Sequence, residues 1–261
     1  MSFAQGHPVI AIPGPSPTPD RVLRAMHRAS PDIYGEEMAT ENRAMVAGLK
    51  RLAGTSAHLA CYIGNGHAGW EAANTNLLAR GEHALVLTSG HFGRSWAASA
   101  RGLGISVEEL DFGNAPPDPQ RLADRLAQDH ERRIRAVLVC HVDTASSARA
   151  DIPALRRAMG DHPAFFAVDA IASLGCDAMH MDDWGVDLLV SASQKGLMTP
   201  PGLAFVWISE RLRTREKSDL TTPYWDWAPR IAAQELWQYW DGTPPVQHIF
   251  GMTEALRMLD E

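Results

Sequence analysis

Ala164-Phe165-Phe166-Ala167-Val168-Asp169 is a short apolar run that ends in a carboxylate. Residues 164–168 are apolar throughout, as a strand is when helices cover both faces of its sheet. Ionising Asp169 at the end of such a strand is costly unless it meets a cation or a hydrogen-bond donor. In an open, doubly wound sheet the carboxyl ends of the strands are also where ligands bind. Two readings are open for Asp169: it serves a bound ligand, or it caps the turn Ala172-Ser173-Leu174-Gly175 that follows.

Similar runs occur on either side. Residues 57–63, 84–88, 105–110, 134–140, 186–190 and 203–208 read as strands, making seven with 164–168. Segments of helical periodicity separate them. In 37–52, Met38, Met45, Leu49 and Leu52 recur at helical spacing and Gly54 can close the end. Segment 118–130 opens on Asp-Pro, a good helix start. The alternation predicts an α/β fold with one mainly parallel, seven-stranded sheet and helices on both faces. Residues 1–20, with five prolines after Gly6, read as an extended arm, 21–245 as one large domain, and 246–261 as the start of a helix leaving it. Beyond Arg215 the pattern loosens into a Trp-rich stretch, 224–240.

Bulk properties remove several function classes. A chain of 261 residues with 45% hydrophobic content can bury a substantial core. Its net charge of −7 is spread along the sequence, and no run of Lys and Arg offers a track for nucleic acid. Cys61, Cys140 and Cys176 are too few and too scattered for a disulfide framework or a four-sulfur zinc site, which points to a reducing, cytoplasmic setting. The apolar run 9–12 is stopped by Pro13, and no later stretch approaches the ~20 residues that cross a bilayer, so no membrane partner is expected.

Two further sites carry chemistry. Gly64-Asn65-Gly66-His67-Ala68-Gly69 follows an apolar strand and opens a helix, whose free amides bind anions well. The letters also match a dinucleotide fingerprint, but the next strand ends in Leu87-Thr88-Ser89 without the acid that would hold a ribose, and Trp70 follows the last glycine. A phosphate cradle is favoured over that reading and over a purely structural turn. Lys195, in Ser191-Ala192-Ser193-Gln194-Lys195-Gly196, sits just past strand 186–190. It reads either as a solvated loop lysine or as an amine made nucleophilic by crowding. Cradle, carboxylate and amine, in that order on a parallel α/β frame, match the phosphate, ring nitrogen and aldehyde of pyridoxal phosphate. A metal site at Asp177, His180, Asp182 and Asp183 lacks a companion cluster, so no metal is expected. Cys140 and His141 are neighbours on a strand and point to opposite faces, which favours core packing over a paired nucleophile.

The chain resembles the class V branch of the fold-type I aminotransferases, and more narrowly the alanine/serine–glyoxylate and pyridoxamine–pyruvate enzymes. The likeness rests on Val168-Asp169-Ala170-Ile171-Ala172-Ser173-Leu174-Gly175 and on Ser193-Gln194-Lys195-Gly196 followed by Pro200-Pro201-Gly202-Leu203, and runs from Pro13-Gly14-Pro15 to Thr243-Pro244-Pro245. It implies transamination from an amino acid or related amine to a small 2-oxo acid such as glyoxylate or pyruvate. Lys195 would carry pyridoxal phosphate as a Schiff base and shuttle the proton, while Asp169 would keep the pyridine nitrogen protonated. Asn65, Gly66, His67 and Gln194 would hold the phosphate, Phe92 and Ile171 would flank the ring, Thr144 would reach the ring hydroxyl, and Gly14 would contact substrate. Thr243 would cross to the phosphate of a partner subunit, making a homodimer with shared sites whose interface buries the arm and the Trp-rich stretch. The motif Asp143-Thr144-Ala145-Ser146-Ser147 lies nearer the pyridoxamine–pyruvate type than the Glu-Thr-Ser-Thr-Gly of the glyoxylate enzymes. Family members continue into a small C-terminal domain bearing a carboxylate-gripping arginine that nothing here matches, so a cofactor-binding protein inactive alone is one alternative. A lyase or desulfurase of the same fold is the other, disfavoured because Gln194 rather than His precedes the lysine.

Overall fold

The computed structural model describes residues 10–261, so the first nine residues of the expected arm lie outside the described residues. The elements run α1 (Asp20–Met26), α2 (Glu36–Leu52), β1 (His58–Gly64), α3 (Gly66–Leu77), β2 (His83–Thr88), α4 (His91–Gly102), β3 (Ser106–Asp111), α5 (Pro119–Ala127) and β4 (Ile134–Cys140). They continue with α6 (Ile152–Met159), β5 (Phe165–Asp169), β6 (Leu188–Ala192), β7 (Gly202–Ile208), α7 (Glu210–Arg213), α8 (Trp227–Ile231), α9 (Leu236–Trp240) and α10 (Val246–Asp260). All seven expected strands are present, with ends displaced by two residues at most. The Asp118 side chain accepts from the Gln120 amide at 2.9 Å and opens α5. That helix stops at Ala127, three residues before the end expected from the sequence.

The sheet order is β1-β7-β6-β5-β4-β2-β3. Strands β2 to β6 pair in parallel, and β7 runs antiparallel to both β6 and β1. The one reversed strand has a simple cause. Only residues 193–201 join β6 to β7, fewer than the dozen or so that a parallel crossover takes. That short return carries Lys195 and keeps it at the carboxyl end of β6.

Alternation along each strand sorts the side chains onto two cores. Leu87, Val139, Phe166, Val168, Phe205 and Trp207 face α2, α5, α6, α9 and α10. Ala60, Ala84, Ala136, Ala167, Val190 and Ala204 face α3, α4 and α8. Alanines on this second face let α3 lie close to the sheet: a Cβ on Gly69 would stand 2.8 Å from Val190 Cγ1. The segment expected to leave the domain, α10, packs Ile249, Met252 and Leu256 into the first core.

The Trp-rich stretch differs from expectation. Trp227 is 7% exposed and Trp240 1%, both covered by their own chain, while Trp237 remains 49% exposed. Helices α8 and α9 pack on β1, the edge strand, which would otherwise present an unpaired backbone row. Arg230, 1% exposed, fixes this cover. Its guanidinium donates to the carbonyls of Tyr224, Cys61 and Tyr239 at 2.8, 2.9 and 3.2 Å and lies over the rings of Tyr62 and Tyr224. The described part of the arm packs on its own chain. Its residues 13–16 cross the Lys195 turn of the same chain, and its last residue, Asp20, already belongs to α1. Truncating Arg230 to Ala strips a donor from three carbonyls at once; stability should fall by about 3 kcal/mol, read as a lower urea midpoint with an unchanged slope.

Candidate active site

The turns that follow β1, β2, β4, β5 and β6 meet at one edge of the sheet. After β1, Asn65 caps α3, its side chain accepting from the amides of His67 at 3.1 Å and Ala68 at 3.4 Å. The positive end of the α3 dipole therefore faces the edge. Ile171, from the turn after β5, closes over the start of the helix: a Cβ on Gly66 would stand 2.5 Å from Ile171 Cδ1.

Asp169 ends β5 and is 5% exposed. Its Oδ1 accepts from the Ile171 amide at 2.7 Å, so the turn-capping role is real. Its Oδ2 accepts from the Trp70 indole Nε1 at 3.0 Å and from the Cys140 thiol at 3.6 Å. Burial pushes the Asp169 carboxyl up to about 6, while these donors pull the other way. A second buried carboxylate, Asp143, accepts from the amides of Phe92 at 2.8 Å, Gly93 at 3.0 Å and Ala145 at 3.0 Å. It ties the start of α4, with Phe92, to the turn that bears Thr144.

Lys195 is pinned from two sides. Its Nζ donates to the Pro13 carbonyl at 2.6 Å, and Ser16 Oγ donates to the Lys195 carbonyl at 2.7 Å. Gly14 makes this crossing possible, since a Cβ there would sit 2.7 Å from Lys195 Cδ and its φ of +144° disfavours other residues. Burial lowers the Lys195 amine below the usual lysine range, which favours the neutral, nucleophilic form. Next to it, Gln194 has a buried side-chain oxygen with no hydrogen-bond partner among the described residues.

Asn65, Gly66, His67, Phe92, Thr144, Asp169, Ile171, Gln194 and Lys195 line one cavity of about 230 Å³. Gly14 lies against Lys195 outside this lining, and Thr243 is exposed, away from the cavity of its own chain. Sequence reasoning gave no site role to Trp70, Cys140 or Asp143. An aromatic donor 99 positions from its acceptor leaves no local pattern to read. Two of the four residues weighed as metal ligands are engaged elsewhere, Asp177 with Arg149 and Asp182 with Thr55 and Ser56. Cys140 and His141 are core residues, as expected, with His141 Nδ1 sharing a hydrogen bond with Ser173 Oγ at 2.9 Å.

The cavity fits pyridoxal phosphate. It pairs a helix start with no room for a side chain at Gly66, a buried carboxylate and a depressed amine. Its volume lies just below the ~300–1,000 Å³ of drug-sized pockets, a scale suited to a small cofactor.

Comparison with known proteins places these features in a lineage. The chain is 33% identical to the serine–glyoxylate aminotransferase of Methylorubrum extorquens, aligned over 96% of this chain and 64% of that protein. It is 34% identical to the L-aspartate–glyoxylate aminotransferase of Paracoccus denitrificans, over 94% of this chain and 63% of that protein. The chain thus spans a little under two thirds of the length of these curated relatives. The crystal structure of pyridoxamine–pyruvate aminotransferase from Mesorhizobium loti superposes with a TM-score of 0.81 at 27% identity, covering 94% of this chain and 63% of that one. The family described as aminotransferase class-V matches residues 12–261. With that match across the sheet, the Lys195 turn and α10, the chain belongs to the class-V aminotransferases, a family of pyridoxal-phosphate enzymes.

Proposed function

We propose that this chain is the cofactor-carrying part of an aminotransferase that moves an amino group from an amino acid or related amine to a small 2-oxo acid such as glyoxylate or pyruvate. The observation that carries the reading is the gathering of the Lys195 amine, the Asp169 carboxylate and the α3 start around one cavity. Glyoxylate and pyruvate are the acceptors named for its relatives.

When bound, pyridoxal phosphate supplies an aldehyde that amines attack and a ring that takes up the electron pair released at a substrate Cα. Asn65, Gly66, His67 and Gln194 hold the phosphate, aided by the α3 dipole. Asp169 keeps a proton on the ring nitrogen, so that electron density flows toward a cation. Phe92 and Ile171 close the two ring faces and exclude water, and the Thr144 hydroxyl orients the ring from its edge. The Lys195 amine, depressed by burial, would be the group that takes a proton from the substrate Cα and returns one to the cofactor side. Gly14, beside that amine, would contact substrate through its backbone.

The same proposal assigns 21–245 as the cofactor domain and a homodimer as the working unit. Exposed Tyr34 and Trp237 flank a groove that includes Ile33, Leu236 and Pro244, next to Thr243. Burial of that groove by a second copy would carry Thr243 toward the partner's site. Three free thiols suit a reducing, cytoplasmic compartment. Among the described residues, no helix is long and apolar enough to cross a membrane.

Amine donors paired with glyoxylate or pyruvate should be turned over by the cofactor-loaded protein, and borohydride should fix cofactor to the peptide bearing Lys195. Lys195→Ala should abolish both; a borohydride-stable adduct in that variant would sink the assignment.

The raised Asp169 carboxyl has a thermodynamic signature in the apoprotein. Its folded-state value of about 6 lies above the ordinary 3.8, so Asp169 favours folding at low pH and costs stability as pH rises through 6. The pH-dependent part amounts to about 3 kcal/mol. Relative to wild type, Asp169→Asn should therefore gain several degrees in Tm between about pH 4 and pH 7; parallel profiles would contradict a buried, raised carboxyl.

For the dimer, Trp237→Glu should lower the sedimentation coefficient to that of a monomer. A wild-type monomer at micromolar concentration would refute the shared site.

A further inference from the structure

Trp70 stands beside three parts of the site. Its indole donates to Asp169 Oδ2 at 3.0 Å, its ring meets the edge of His67 at a centroid distance of 4.7 Å, and it lies 6.4 Å from the ring of Phe92. It has little freedom to do anything else. Trp70 is 1% exposed and stacks on Trp96 with ring planes 10° apart, and Trp96 is locked by donating to Asn74 Oδ1 at 3.0 Å. Close approach of Gly69 to Val190 seats this turn of α3 on the sheet and brings the indole to the end of β5.

We propose that Trp70 is a positioning residue that keeps Asp169 ionised and aimed at the ring nitrogen of the bound cofactor. A carboxylate has about four acceptor sites. Here Ile171 takes one on Oδ1, and Trp70 and Cys140 take two on Oδ2, leaving one for a ring N–H. The Cys140 thiol at 3.6 Å is a weak donor, so the indole is the principal side-chain group stabilising the anion. Remove it, and the proton shared between Asp169 and the ring nitrogen shifts toward the carboxylate, because a buried anion without its donor holds a proton more tightly. Phenylalanine in place of Trp70 keeps the stacking surface and loses only the N–H.

This inference rests on the cofactor reading above, and the experiment separates the two. Apoprotein variants Trp70→Phe, Trp70→His, Asp169→Asn and the double variant combining Trp70→Phe with Asp169→Asn are titrated with pyridoxal phosphate carrying 15N in its ring. Trp70→Phe should weaken uptake about tenfold, the scale of a charge-assisted hydrogen bond, and at neutral pH move the ring 15N resonance toward its unprotonated position. When Asp169→Asn is already present, the same change should cost less than about threefold, because no anion remains to be held. Trp70→His, which restores a ring N–H, should recover part of both signals, and it carries the test if the Phe variant does not fold. Equal penalties with and without Asp169→Asn, an unmoved 15N resonance, or no recovery with His would overturn the role of Trp70 and leave the cofactor reading standing. Failure of the wild type to take up cofactor would overturn both.

Discussion

A carboxylate 5% exposed at the end of a central strand must be solvated by the protein, and the site is arranged around meeting that demand for Asp169. One oxygen is satisfied by the Ile171 amide, which bends the chain sharply after β5 and throws Ile171 over the start of α3. The other is satisfied by Trp70, which ties α3 to β5. The start of α3, the Ile171 side chain above it and the anion are thus coupled through one acid. These two donors, which stabilise the charge, also place walls of the cavity.

The second anchor is topological. Because β6 returns through nine residues into an antiparallel β7, the Lys195 turn is held at both ends by the sheet, with Ser193 accepting and donating across the return. The arm then crosses this turn, with Pro13 accepting from the amine and Ser16 donating to the Lys195 carbonyl. A rigid platform beneath and a strap above keep a long side chain over one spot, and the same enclosure depresses its amine. Acid and base are therefore pushed in opposite directions by one cause, removal from water, which raises Asp169 and lowers Lys195.

Most of the architecture could be read from local pattern. Strand β5 is an apolar run ended by Asp169, β4 is one interrupted only by the exposed Arg135, and the Asp118-Pro119 pair opens α5 at the place its letters indicate. The reversed direction of β7 was legible in principle from the nine-residue return, since loop length limits crossovers. What stayed hidden was long-range. The Trp-rich stretch looked like surface awaiting a partner because the sequence does not say that β1 is an edge strand needing cover. Arg230 shows the same limit: a cation in a loosely patterned stretch does not announce that it is buried against Tyr62 and Tyr224.

For the site, residue types and order along the chain were enough to single out Lys195, Asp169 and the start of α3 as neighbours, because each stands at the end of a strand and strand ends in such sheets converge. Their supporting partners were not nameable in this way. Trp70 reads as an ordinary helix aromatic, and Asp143 as part of a loop motif. Only the folded sheet brings Trp70 to Oδ2 of Asp169, across 99 positions, and Asp143 to the amides of Phe92 and Gly93, across about fifty. Periodicity and strand punctuation are local and survive in one dimension; the solvation of a buried charge is a contact between distant segments, and exists once helix and sheet have packed.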